Sequence, residues 1–542
     1  MAKKRERRAT YCMHANVGSA TSPDTGLAGH WRRALVALEE PADPSRLSAL
    51  RFWALFGVLL TFASLPVLWT EIPPLLDYPN HLARLYLLSD GRAAEQLRQY
   101  YAIDWQVVPN LAMDLLVPPL ARLMPLSAAM KLFIILSFAL IASGTALVHR
   151  ACRDRWSIWP LFVFLFLYNQ IFLLGFLNYL FGLGLALIAF SLWIALASRA
   201  GALRLVIASG FALAIFFAHL MACALYGVMI MSYELGAVLQ ERPWRLARLP
   251  LRLAHSAIAF LPPLALLIAK AQEPLADHLQ IPRFDEKLYW IGAVFDVYAP
   301  TFTAVSLAIL GLATCLGVAA RRLAIPIPLA IPLVVISLAF IAAPHAVIGA
   351  SGGVAQRLPV LIFFLLPAAV SAGAGLRRRM VQVAAMTGLS LFVIHMVLVA
   401  AQWQRADTGF ARRIAVLDRV PDGGRLAVAH PENVSSLQLP LTHFPMLAMP
   451  RRNAFVPLLF TTPGQQIVRI TSEGARLRER VWPEQLWALL TARAIGESEA
   501  LDALRDFDVV LLFDIQPFDF RPPSFLIPIA AEPGFALYRI VH

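Results

Sequence analysis

The chain has 542 residues, 59% of them hydrophobic and only 15% charged, with a mean hydropathy of +0.65. That mixture excludes an ordinary soluble domain and indicates a polytopic α-helical membrane protein. The net charge of +13 does not indicate nucleic-acid binding, because the arginines concentrate in short loops between apolar runs, where anionic lipid headgroups and the positive-inside rule account for them.

Residues 1–50 form a basic leader (Lys3, Lys4, Arg5, Arg7, Arg8) without an apolar core of its own, so no cleavable signal peptide is expected and the first span serves as an anchor. Residues 51–401 form the transmembrane region. Apolar runs near the length that crosses the hydrocarbon core occur at about 52–70, 126–148, 156–175, 178–197, 203–218, 219–236, 254–270, 301–319, 324–343, 358–376 and 380–401, about eleven spans. Threaded in this way, the clusters Arg150/Arg153/Arg155, Arg199/Arg204, Arg242/Arg245/Arg248/Arg252, Arg321/Arg322 and Arg377/Arg378/Arg379 share one side with the leader. The expected topology is that of a multi-pass protein of the cell inner membrane, its N-terminus cytoplasmic and everything after residue 401 periplasmic. Cys12 and Cys152 fall on the inner side and Cys223 and Cys315 within spans, which leaves the tail without a disulfide framework or a CxxC metal site.

Between the first two spans lies an outer loop, 71–125, and in it the stretch "LLDYPNHLARLYLL". Pro79 suits the first turn of a helix and Asp77 the capping position before it. His81 and Arg84 follow Asp77 by four and seven residues, so a helix stacks all three on one face. A carboxylate beside a cation can take a proton from a hydroxyl, and an arginine fork can grip a phosphate. The plain alternative is a helix cap with a solvated face. The same side of the membrane is expected to carry Asn80, Asn169, Gln170, Asn178, His219, Glu273, Asp277, His278, Arg283, Asp285, Glu286, His345, Gln356 and Arg357, which together suggest an outward-facing polar cavity.

The spans are nearly free of charge, with only His395, Lys131 and Glu234 interrupting them, a pattern that argues against an ion-coupled carrier. "GASGG" at 349–353 lacks the Lys-Ser/Thr of a phosphate loop. Residues 402–542 are long enough for one domain. Their strand-like runs "GRLAVAH", "FDVVLLFD" and "FALYRIV" alternate with helical stretches such as "PEQLWALLTARAI", giving an exported α/β domain that is expected to fold by itself. "DFD" at 506–508 has the form of a metal and nucleotide-sugar motif, but it leads straight into an apolar strand and reads as a helix end and strand entry. The Asn433-Val-Ser435 sequon is too short a pattern to decide anything.

The order of an N-terminal span, a long outer loop opening on an acidic residue, and then "PNLAMDLLVPPLARLMPLSAAMKLFIILSFALIASGTALVHR" resembles the start of the GT-C type of integral-membrane glycosyltransferases. The match is one of architecture over most of residues 50–401. It implies that Asp77 is the catalytic base, that Asn80, His81, Arg84 and His345 border the substrates, and that Arg357, in "GGVAQRLPV", meets the lipid phosphate of a polyprenyl-phosphate-linked sugar donor. The acceptor would be a glycan or lipid, transfer would invert the anomeric centre, and no cofactor is required. Many members carry two adjacent acids in this loop, whereas here Tyr78 follows Asp77 and the next acids are Asp90, Asp104 and Asp114, a poor arrangement for a divalent metal. Two other classes stay open, a non-catalytic membrane scaffold of cell-envelope polysaccharide assembly and a translocator of lipid-linked substrates.

Overall fold

The computed structural model describes residues 43–198, 201–241, 243–270, 282–295, 298–344, 353–432, 436, 439–491, 497–513 and 522–541. The leader to residue 42, Arg199, Arg242, Glu273, Asp277, His278, His345, most of 349–353 and the Asn433–Ser435 sequon lie outside the described residues.

Among the described residues, eight helices are long and apolar enough to cross a membrane. The first, α1 (Ala49–Trp69), begins where the Ser48 hydroxyl accepts the Arg51 amide hydrogen at 3.3 Å. Two helices of the outer loop follow, α2 (Tyr78–Ser89) and α3 (Ala112–Ala121), and a short strand β1 (Tyr101–Ile103) lies between them. Then come α4 (Leu126–Arg153), the short α5 (Gln170–Leu174), α6 (Leu177–Ala195), α7 (Gly201–Ala218) and α8 (Leu220–Gln240). A broken run over Leu246–Ala269 contains α9 (Leu249–Ala257) and is followed by α10 (Pro300–Ala319), α11 (Ile327–Ala342), α12 (Val354–Ala369) and α13 (Arg378–Leu417). Apolar side chains that point away from the protein, such as Phe62 and Leu68 on α1 and Leu312 and Leu316 on α10, present the surface that a lipid environment accepts.

Three of the eleven expected spans are shorter than that length, the apolar stretches over Trp159–Leu174, Ile327–Ala342 and Val354–Ala369. The first is not one helix. A 3-10 segment, Trp159–Phe166, ends near Asn169, whose Oδ1 accepts the Phe172 amide hydrogen at 3.0 Å and starts α5 anew. Asparagine competes with the backbone for hydrogen bonds, so it favours such a cap over a continuous helix. Gly175 then closes α5 in the left-handed conformation, φ 92°.

The two ends of the bundle differ in character. Tyr179 near the start of α6 hydrogen-bonds the Arg357 carbonyl and meets His219, which precedes α8, while Trp193 near the other end of α6 meets Arg204 and Glu234. α8 spans about 30 Å between those ends at 1.5 Å per residue. Arg204 and Arg252 lie at one end, α2 at the other.

Helix α13 runs through residue 402, where the boundary of the tail was expected. Nothing in "AQWQRADTGFARRIAVL" breaks a helix, and 40 residues reach about 60 Å, twice the hydrocarbon core. Its last turns pack on the C-terminal segment, with Phe410 against Phe444 at 5.0 Å. That segment is α/β, with β2 (Leu426–Ala429), β3 (Val468–Ile470), β4 (Val509–Phe513), β5 (Leu526–Glu532) and β6 (Phe535–Ile540). Four of these form a sheet in the order β2-β4-β6-β5, parallel between β2 and β4 and otherwise antiparallel. Within "DFD", Asp506 ion-pairs with Arg476 and Arg480, and Asp508 accepts the Arg425 amide hydrogen at 2.7 Å, both structural tasks.

The C-terminal segment shares its core with the rest of the chain. β3 pairs antiparallel with β1 of the outer loop, Tyr101 opposite Ile470 and Ile103 opposite Val468. Tyr100 stacks on Phe455 at 4.1 Å, and the Tyr101 hydroxyl donates to the Val456 carbonyl at 2.6 Å. Expressed alone, residues 405–542 are therefore expected to expose Phe455 and Val456 and to aggregate or unfold without cooperativity. Adding residues 71–125 by a linker should restore a cooperative transition, as circular dichroism during heating would record.

Candidate functional site

The site is built around the start of α2. Pro79 supplies a helical φ in the first turn, and Asp77 stands at the N-cap as its sequence context suggests. Its side chain nevertheless makes no cap hydrogen bond. The cause is local geometry, since Asp77 has φ −89° and ψ −4°, whereas a side chain reaches the following amides from the extended conformation. Asp77 is held instead from the other side, Leu76 and Asp77 donating their amide hydrogens to the carbonyls of Leu173 and Leu174 at 2.9 and 3.2 Å.

The buried Asp77 carboxyl faces His443, whose Nε2 lies 3.4 Å from Oδ1. Burial pushes its proton affinity up from the ordinary 3.8 to about 7, against the opposing charges of Arg357 and then Arg84. His81 is buried on the same helix, and its Nε2 lies 3.1 Å from the Gly175 carbonyl. A carbonyl only accepts, so this nitrogen carries the proton and leaves Nδ1 as the bare acceptor. Burial, helped by the charge of Arg84, lowers His81 to about 3, and burial lowers His443 to about 4. Both imidazoles are neutral at pH 7. Phe460 packs edge-on to both rings, 6.1 Å from His81 and 4.9 Å from His443.

Asp77, His81 and Arg84 are thus brought together, but they do different things. Arg84 is fully buried, its Nε donating to Asp114 at 2.9 Å and its Nη1 to the Gln466 side-chain oxygen. Asn80 is equally buried and closes a backbone-like pair, donating to the Leu458 carbonyl at 2.8 Å and accepting from the Phe460 amide at 2.9 Å. These two residues clamp the C-terminal segment onto α2. Arg357, near the start of α12, lays its guanidinium over the Phe176 ring at 4.4 Å, next to the turn that carries Gly175. Asn178, also expected on this side, accepts the Met113 amide hydrogen at 2.9 Å and holds α3 to α6.

Sequence reasoning did not foresee His443, Gln466 or Phe460. His443 in "LTHFPML" is far along the chain, and nothing local to it signals a partner at residue 77. Among the described residues, no group of three or more His, Cys, Asp or Glu side chains is placed to hold a metal ion.

Gly175 connects this geometry to a prediction. A Cβ on it would lie 2.8 Å from the Asp77 Cβ and 3.0 Å from the Asp77 nitrogen, and its positive φ disfavours any other residue. Gly175→Ala is expected to cost about 1–2 kcal/mol from the left-handed backbone alone and more from the clash, displacing Asp77. Thermal unfolding of the purified variant would read the loss, with Gly227→Ala, where the nearest atom is a Phe260 ring carbon at 3.5 Å, as the mild control.

Comparison with known protein families and with curated proteins finds no match to this chain. The helical architecture and this buried cluster define a helical membrane protein with a carboxylate–imidazole site at one end of its bundle.

Proposed function

We propose that this protein is a membrane glycosyltransferase that moves a sugar from a polyprenyl-phosphate donor to an acceptor hydroxyl at the outer face of the inner membrane. The observation that carries this reading is the Asp77 carboxyl, which stands at a helix start without capping it and has a proton affinity close to neutrality. A base matched to the operating pH is what proton removal from a hydroxyl requires.

In this reading the acceptor oxygen bonds to the anomeric carbon as its proton passes to Asp77. The bond from that carbon to the donor phosphate breaks on the opposite side, and polyprenyl phosphate leaves with inversion. His443 contacts the Asp77 oxygen and orients it, while neutral His81 supports the turn through Gly175. Arg357 meets the charge that develops on the leaving phosphate, the electrostatic contribution that weighs most in a dry site. Arg84 and Asn80 keep the framework, through their bonds to Asp114, Gln466, Leu458 and Phe460. The donor carries its own lipid, so no nucleotide site is needed.

The test is transfer of labelled sugar from polyprenyl-phosphate donors by the purified full-length chain in lipid. Transfer that requires Asp77 supports the reading. Absence of transfer from every donor tried, with folded protein, moves the assignment to a non-catalytic scaffold of polysaccharide assembly.

A further inference from the structure

A second polar cluster lies at the end of the bundle away from Asp77. Glu234 sits near the end of α8, fourteen residues or about 21 Å beyond its first residue, and is buried. It accepts from the Trp193 indole at 2.9 Å and from Arg204 at 2.8 Å, and Arg252 lies 3.7 Å from its other oxygen. The Arg204 guanidinium stacks on the Trp193 ring at 3.5 Å, and Arg252 also pairs with Glu241 at 2.5 Å. Between α7, α8 and α9, Arg204, Glu234 and Arg252 border a cavity of about 360 Å³, to which His255, Ser256 and Tyr233 add further polar groups.

Charge decides what such a cavity accepts. Its lining sets the two guanidiniums of Arg204 and Arg252 against the single carboxylate of Glu234, one positive charge in excess, and Glu241, which also pairs with Arg252, lies outside that lining. Buried Glu234 fixes both forks rather than cancelling them, and planar arginine forks suit phosphate oxygens. The surroundings add to this, because Arg245 and Arg248 precede α9 and are exposed. One wall is apolar. Leu251 belongs to the cavity lining yet is 75% exposed, so the mouth opens beside the lipid-facing surface.

We propose that this cavity binds a phosphate group, as carried by an anionic phospholipid headgroup or by a small soluble phosphate compound. An acyl chain leaving along Leu251 fits the lipid source. The site is independent of the chemistry assigned to Asp77.

The experiment is native mass spectrometry of the full-length protein in detergent with phosphatidylglycerol or phosphatidylcholine added. Wild type is expected to retain phosphatidylglycerol with at least tenfold preference. Ala197→Phe, which fills the cavity and keeps every charge, and Arg252→Gln, which removes one fork, should each abolish that preference. Ala197 lies just beyond the end of α6, so the first variant keeps the test valid even if the second misfolds. Displacement of the lipid by millimolar inorganic phosphate would assign the site to soluble phosphates, and resistance to it would assign the site to the lipid. Equal retention of the two lipids by wild type, or an undiminished preference in folded Ala197→Phe, overturns the proposal.

Discussion

Asp77→Asn is expected to lower sugar transfer by roughly 10²- to 10⁴-fold, the usual cost of losing acid–base assistance, and to stabilise the protein at alkaline pH. The two effects have one cause. Asp77 binds its proton far more tightly in the folded chain, about 7 against an ordinary 3.8, so folding is favoured below pH 3.8 and this contribution is lost as pH rises through 7. Three units correspond to an upper limit of about 4 kcal/mol that the folded protein gives up above pH 7 to keep an ionised carboxylate there. The amide of Asn cannot ionise and does not incur that cost. Purified wild type should thus unfold at a lower temperature at pH 8 than at pH 5.5, and Asp77→Asn should remove most of that difference.

The activity of wild type should rise with pH through about 7. Burial holds His81 at about 3 and His443 at about 4, so neither imidazole changes its charge in this range, whereas Asp77 does. A helix-end residue without chemistry gives another pattern, in which Asn transfers sugar as fast as Asp. Equal rates would remove the base assignment even if the stability difference appeared.

Much of this arrangement was legible in the sequence and some was not, for reasons of range. An apolar run such as Leu177–Ala195 reports a helix because every residue of the segment carries the signal. Pro79 and Asp77 likewise mark the start of α2 from within a few residues. The break at Asn169 is local as well, but in an apolar stretch hydropathy outweighs one asparagine, and a straight span over 156–175 was the natural expectation. The fall in hydropathy at residue 402 predicts a boundary there, yet α13 continues through it to Leu417.

The partners of Asp77 and Arg84 lay beyond any local pattern. Gln466 stands two residues before β3, which pairs with β1, and His443 precedes the turn Phe444–Leu447 that packs on α2, both more than 360 residues from the side chains they meet. Asp114 was visible as one of the next acids in the loop, but not as the counter-ion of Arg84, because that pairing depends on how α2 packs on α3. The spacing places His81 and Arg84 on α2, with Asp77 at the N-cap before it. It could not tell which of them met substrate and which met protein.

Arg84 supplies the second large effect. Arg84→Met is expected to destabilise the full-length protein by about 3–5 kcal/mol, because it strands the buried Asp114 carboxylate and removes the donor to Gln466. Arg84→Lys should recover little, since the arginine bonds Asp114 through Nε and Gln466 through Nη1, two directions that one ammonium cannot serve at once. Pairing Arg84→Met with Asp114→Leu removes both buried charges and should restore most of the stability, as replacement of a buried ion pair by apolar side chains often does. A phosphate-gripping Arg84 would behave otherwise, with unfolding temperature nearly unchanged, donor KM raised and no recovery in the double variant. Thermal unfolding of the single and double variants in detergent, with donor KM measured on those that fold, separates the two roles, and recovery of the double variant alone assigns Arg84 to holding the C-terminal segment against α2.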